Sequence, residues 1–257
     1  MPYIRNGDVS LALESRGNGA THLLFAHGWI SSRRMWFDVA SRLDPARFTL
    51  HLLDFRGAGL SDRPSGGHDL EGYASDLRAA LVAIDAPLTL VAHSMGGKIA
   101  QYVALTPPAN LTRLVLVAPG SARAMPLDER HRAIAERAFG SRERIARFQR
   151  GAMVRPIPEE SFERIISDAL VAQREAWFHW YDHGRTSDFA DRLGEIALPT
   201  IVLGADKDPL VPPARLRRNV VDPIDGALAV MLRGVGHNIP VEAPDEVVQL
   251  IGRFCEG

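Results

Sequence analysis

The stretch Leu90-Val91-Ala92-His93-Ser94-Met95-Gly96-Gly97 decides how the rest of the chain is read. Ahead of it, Pro87-Leu88-Thr89-Leu90-Val91-Ala92 is a mostly apolar run of strand length, the pattern of a strand buried on both faces. Behind it, Lys98 to Leu105 reads as a helix that stops before Pro107-Pro108. A serine at such a junction sits on a sharp, strained turn that lifts its hydroxyl above the sheet edge. Gly96, two residues on, lets the helix backbone pass close to the strand. In isolation the stretch also fits an ordinary serine in a strand-to-helix turn, so its surroundings must decide.

Working outward, the chain alternates. Tyr3-Ile4-Arg5 and Val9 to Glu14 flank Asn6-Gly7-Asp8, which predicts an antiparallel hairpin. His22 to Ala26 is the next strand and runs into His27-Gly28-Trp29. A helix through Met35 to Ala40, a strand from Phe48 to Leu53 and a helical pattern from Leu70 to Ile84 lead to the serine strand. Leu114 to Ala118, Thr200 to Leu203 and Ala227 to Leu232 have the same strand character, and a last helix runs from about Pro244 to Phe254. This alternation predicts an α/β fold: a mostly parallel central sheet with helices on both faces. It breaks between about Ser121 and Ala197, where only charged, amphipathic helical segments appear. Residues 121–197 are therefore read as an all-helical cap inserted into one α/β core made of 1–120 and 198–257.

At 257 residues the chain is long enough for one such core with an insertion. Thirty basic residues stand against 31 acidic ones, a formal charge of −1, so no electrostatic footprint for nucleic acid or an anionic membrane appears. No apolar run reaches the length of a membrane span and the first residues lack an apolar signal segment. A single cysteine, Cys255, rules out an internal disulfide. The expectation is a cytoplasmic enzyme acting on a small molecule.

A serine hydroxyl used as a nucleophile needs a base, and the base an orienting acid. In an open α/β sheet both must come from loops at the carboxyl ends of strands. Gly204-Ala205-Asp206-Lys207-Asp208-Pro209-Leu210-Val211-Pro212 and Arg233-Gly234-Val235-Gly236-His237-Asn238 follow two of the predicted strands, giving the chain order Ser, Asp, His.

With these stretches, His27-Gly28-Trp29, Asp54 to Pro64, His93 to Gly97 and Gly236-His237, the chain resembles the α/β-hydrolase superfamily over nearly all its length outside the cap. The resemblance implies a nucleophile elbow with Ala92 where the G-x-S-x-G pattern has glycine. It implies Ser94 as nucleophile, His237 as general base, and the backbone N–H groups of Trp29 and Met95 as an oxyanion hole. Counting back from Val211-Pro212 selects Asp208 as the acid. Counting forward from Gly204 lands on Lys207, so the loop holds one extra residue; Asp208 is preferred, with Asp206 left to the surface or to capping its loop. The activity implied is cleavage of a small, partly apolar carboxylic ester or lactone by a serine esterase or lactonase, without cofactor or metal. Thioester cleavage, carbon–carbon bond hydrolysis, perhydrolysis and a ligand-binding receptor built on a hydrolase are the alternatives.

Other residues carry competing readings. Trp29, Met95 and the cap residues Trp177, Trp180 and Tyr181 are candidates for walling the substrate pocket. The last three fall on one helical face, which packing against the core explains as well. His27 and His93 are assigned to hydrogen bonding with loop backbone. The Asp54-Phe55-Arg56-Gly57 turn is assigned to architecture. His179 and His183 have the i, i+4 spacing of helical zinc ligands but lack the glutamate and third ligand of such a site. Arg33 and Arg34 are candidates for holding a carboxylated substrate.

Overall fold

In the computed structural model, which describes residues 2–126 and 129–256, the apolar runs form one eight-stranded sheet. Its strands are β1 (Tyr3–Asn6), β2 (Val9–Arg16), β3 (Thr21–Ala26), β4 (Phe48–Leu53), β5 (Leu88–His93), β6 (Leu111–Val117), β7 (Thr200–Ala205) and β8 (Leu228–Leu232). They lie in the order β1-β2-β4-β3-β5-β6-β7-β8. The β1/β2 and β2/β4 pairs are antiparallel, and every other pair is parallel. The predicted hairpin forms, with Gly7 at φ +59°, a backbone conformation that costs glycine little.

The helices are α1 (Phe37–Ala40), α2 (Leu70–Val82), α3 (Met95–Ala104), α4 (Glu129–Ala138), α5 (Arg142–Ala152), α6 (Glu159–Leu170), α7 (Arg174–His179), α8 (Pro213–Leu216), α9 (Ile239–Glu242) and α10 (Pro244–Glu256). Successive strand residues point to opposite faces. Leu24, Leu90, Leu114 and Val202 pack with Tyr73 and Leu77 of α2 and Ile99 of α3. Leu23, Phe25, Val91 and Val115 pack with Trp36, Val39 of α1 and Val247 of α10. Central strand β5 is buried throughout, whereas edge strand β8 leaves Leu228 and Met231 exposed. The buried side chains thus occupy both faces of the sheet, as the two-sided apolar runs require.

Between β6 and β7, α4 to α7 have an apolar centre of their own, in which Ala138, Ile145, Phe162, Ile166 and Trp177 surround Ile30 of the core. The sequence reading extends a single helical face through Trp180 and Tyr181. The chain instead leaves α-helical geometry after His179, and Trp180–Gly184 is a π turn. Among the described residues no helix is long and apolar enough to cross a membrane.

Candidate active site

Parallel register brings the carboxyl ends of the central strands to one edge. Ala26 pairs with Ala92, His93 with Val117, Val117 with Leu203, and Ala205 with Leu232. The loops that follow these strands carry His27-Gly28-Trp29, Ser94, Asp206 to Asp208, and His237.

Ser94 ends β5 and caps α3 with φ 52° and ψ −114°, outside the regions that non-glycine residues favour. Its N–H donates to the Val117 carbonyl at 3.1 Å, and its own carbonyl accepts from Gly120 at 2.8 Å and Lys98 at 3.1 Å. The turn is therefore fixed from both sides. A Cβ on Gly96 would lie 2.5 Å from the His27 carbonyl oxygen, so only glycine lets α3 start against the end of β3.

His237 brings its Nε2 to 2.9 Å from Ser94 Oγ, and its Nδ1 to 2.7 Å from Asp208 Oδ2. The other Asp208 oxygen accepts from the N–H groups of Leu210 and Val211, both at 2.8 Å. Burial opposes the Asp208 charge, but His237 and these two donors outweigh it and hold the carboxyl below its ordinary value. Asp206 faces away and accepts from Gly234 N–H at 2.7 Å, stapling the two loops together. The structure thus joins Ser94, His237 and Asp208 in one hydrogen-bonded chain and leaves Asp206 outside it.

The neighbouring histidines bond to backbone. His27 donates through Nδ1 to the Gly28 carbonyl at 2.8 Å, and its Nε2 accepts from Phe55 N–H at 3.1 Å. His93 Nε2 lies 3.0 Å from the His237 carbonyl, which fixes the proton on that nitrogen. Its Nδ1 is buried without a partner, and burial, reinforced by His237, pulls the His93 pKa down to about 3. Glu242 is a residue the sequence reading missed. Its buried carboxylate accepts from the N–H groups of Val154, Arg155, Gly236 and Asn238, binding the end of α5 to the His237 loop. No motif marks it, because its partners are all backbone.

Among the described residues neither the Trp29 nor the Met95 N–H meets a protein acceptor. A Cβ on Gly28 would lie 3.2 Å from Ser94 Cβ, so the His27-Gly28-Trp29 backbone runs directly beside the serine. Above lies a cavity of about 440 Å³ lined by Ser94, His237, Trp29, Met95, Trp177, Trp180 and Tyr181. Trp29 stands edge-to-face with Tyr181 at 4.3 Å and with Trp177 at 5.0 Å, and its Nε1 donates to the Trp177 carbonyl. The tryptophans therefore serve packing and pocket wall together.

Arg33 and Arg34 require a correction. Arg33 is nearly buried between Glu14 and Asp54, and Arg34 pairs with Asp168 at 3.0 Å, so both are committed to carboxylates of the chain itself. Asp54 also accepts from Leu60 N–H, and Arg56 makes a two-pronged bond to fully buried Asp76, so this turn is scaffold. His179 and His183 meet edge-to-face with 5.2 Å between ring centres, and among the described residues no group of three or more His, Cys, Asp or Glu side chains is arranged to hold a metal.

Residues 23–250 match a model of the Alpha/beta hydrolase family. The chain belongs to that family. It is 24% identical over 240 residues to a non-heme chloroperoxidase of Streptomyces lividans, covering 87% of each chain. Among solved structures it superposes on an esterase from Exiguobacterium antarcticum with a TM-score of 0.91 at 20% identity, covering 99% of each chain. It superposes on an enol-lactonase from Burkholderia xenovorans LB400 with a TM-score of 0.85 at 19% identity, over the whole of both chains. At these identities the structural likeness establishes the fold, and within the family fold the chain is an enzyme of hydrolase type.

Proposed function

We propose that this member of the family is a serine hydrolase that cleaves a small, partly apolar carboxylic ester or lactone through an acyl-enzyme. The observation that carries the reading is the unbroken Ser94–His237–Asp208 hydrogen-bond chain at the floor of a largely apolar cavity. Ser94 Oγ attacks the carbonyl carbon while His237 Nε2 takes its proton. Asp208 holds the imidazole and stabilises its charged form. The N–H groups of Trp29 and Met95 receive the developing oxyanion. The protonated His237 then gives its proton to the leaving oxygen. Water, deprotonated by the same nitrogen, attacks the acyl carbon, and as the bond to Ser94 breaks His237 returns that proton to Ser94 Oγ and the acid is released. No cofactor enters these steps.

Residues 121–197 act as a cap over the cavity, with Trp177, Trp180 and Tyr181 as their share of its wall. The curated chloroperoxidase relatives favour one second reading, in which hydrogen peroxide replaces water in the deacylation step. The test is turnover of p-nitrophenyl esters of increasing chain length by wild type and Ser94→Ala. The proposal expects kcat to fall by about 10⁴-fold or more in the variant. Turnover that survives the substitution contradicts it.

A further inference from the structure

The cavity above Ser94 is electrically one-sided. Lys98, Arg185 and Arg215 line it, and among the described residues no aspartate or glutamate does. Lys98, buried one helical turn past Ser94 on α3, has backbone partners: its Nζ donates to the Ser187 carbonyl at 2.7 Å and lies 3.4 Å from that of Arg185. Arg185 uses only its Nε, on the Met125 carbonyl at 3.2 Å, and its guanidinium lies 5.6 Å from the centre of the Tyr181 ring. Arg215 uses only Nη1, on the Leu210 carbonyl at 3.3 Å. Their remaining N–H groups have no protein acceptor among the described residues.

This is not how the chain treats its other shielded arginines. Arg33, Arg56 and Arg164 each meet a carboxylate of Asp54, Asp76 and Asp38. Two neighbouring guanidiniums left unmatched at the wall of an apolar cavity are costly, and burial together with the charge of Arg215 pulls the pKa of Arg185 down. The backbone that carries Arg185 is also built for position. Its N–H donates to the Trp180 carbonyl at 2.9 Å, closing the π turn, a rare geometry that clusters at functional sites. Its own carbonyl accepts from Met125 N–H at 2.8 Å.

We infer that Arg185 and Arg215 form a subsite for a carboxylate on the substrate, so that the ester or lactone cleaved here is an anionic one. The planar, multi-donor guanidinium matches a carboxylate in geometry as well as charge. The apolar span between carboxylate and scissile carbonyl meets the cavity's apolar wall, to which Tyr181 contributes beside Arg185. The inference rests on the proposal that Ser94 attacks esters in this cavity, and it supplies the charge of the substrate.

The test uses matched pairs: the monomethyl half-esters of succinate, glutarate and adipate, each against the neutral methyl ester of the same chain length. Binding to Ser94→Ala is read from the fluorescence of the tryptophans in the cavity wall, and turnover is measured with wild type. The expected result is that one half-ester binds at least about tenfold more tightly than its neutral partner, and that this ratio falls about tenfold in Ser94→Ala carrying Arg185→Gln and in that carrying Arg215→Gln. Arg215, on short helix α8, supplies the second variant should loss of the Arg185–Met125 bond disturb the loop. No preference for any half-ester, or a ratio that neither substitution moves, overturns the carboxylate subsite. If wild type meanwhile hydrolyses the neutral esters, the hydrolase reading stands without it. If half-esters bind selectively but wild type hydrolyses neither them nor the neutral esters, the subsite stands and the hydrolase reading falls.

Discussion

Glycine and alanine at position 94 differ by one methyl group, and that group carries the strain of the turn. Ser94 has φ 52° and ψ −114°. A non-glycine residue held in such a sparsely populated region costs about 1–3 kcal/mol. Ser94→Ala and Ser94→Gly both lose the hydroxyl and its 2.9 Å bond to His237, so that loss cancels between them. Glycine adds freedom to the unfolded chain, worth about 0.4–1 kcal/mol against folding. The difference leaves Ser94→Gly more stable than Ser94→Ala by about 1 kcal/mol, or about 2–4 °C in Tm for a chain of this size. Both variants are expected to be inactive. Urea unfolding with an unchanged m-value, alongside thermal scans, measures the difference. A glycine variant equal to or less stable than the alanine variant refutes the argument that the fold holds this serine under strain.

Three further outcomes follow from the geometry. Asp208→Asn should lower kcat on a p-nitrophenyl ester by about 10⁴-fold, because an amide cannot hold the imidazole in its working tautomer. Asp206→Asn should stay within a few-fold of wild type, and the reverse ranking would move the acid to Asp206. Asp76→Ala should cost about 3–5 kcal/mol in urea unfolding, since it strands Arg56 in the interior, whereas Arg56→Met with Asp76→Leu should recover much of that loss; a single-variant loss below about 1 kcal/mol would contradict the scaffold role. His93 has its pKa lowered from 6.5 to about 3, so its contribution to stability is complete above pH 6.5 and is lost as pH falls toward 3. Between pH 6 and 4 the stability of wild type should therefore fall more steeply than that of His93→Gln, by up to about 1.4 kcal/mol per pH unit, and parallel slopes would refute it.

The central sheet was legible because its signal is local. Leu88 to His93 lies between two helical layers, so both faces must be apolar, and the run is written directly in the residues. The place of Ser94, His237 and the Asp loop was legible for a related reason: each follows a strand end, and parallel register gathers strand ends at one edge. Arg33 and Arg34 were misread because their partners, Glu14, Asp54 and Asp168, reach them only through tertiary folding. Glu242 was missed because backbone N–H groups are its partners and every sequence has those. The charge of the cavity was hidden in the same way. Lys98, Arg185 and Arg215 come from three separate elements, and nothing local separates Arg185 from the twelve other arginines of residues 121–197. The π turn after His179 also escaped, because it interrupts a helical periodicity that otherwise continues through Tyr181.

Covalent labelling with a fluorophosphonate probe, mapped by peptide mass spectrometry on wild type, Ser94→Ala and Asp208→Asn, tests the central claim most directly. The account predicts a single phosphonylated residue, Ser94, with no adduct on Ser94→Ala and strongly slowed labelling of Asp208→Asn. An adduct on a different residue, or a wild-type protein that resists the probe while hydrolysing esters, would contradict it.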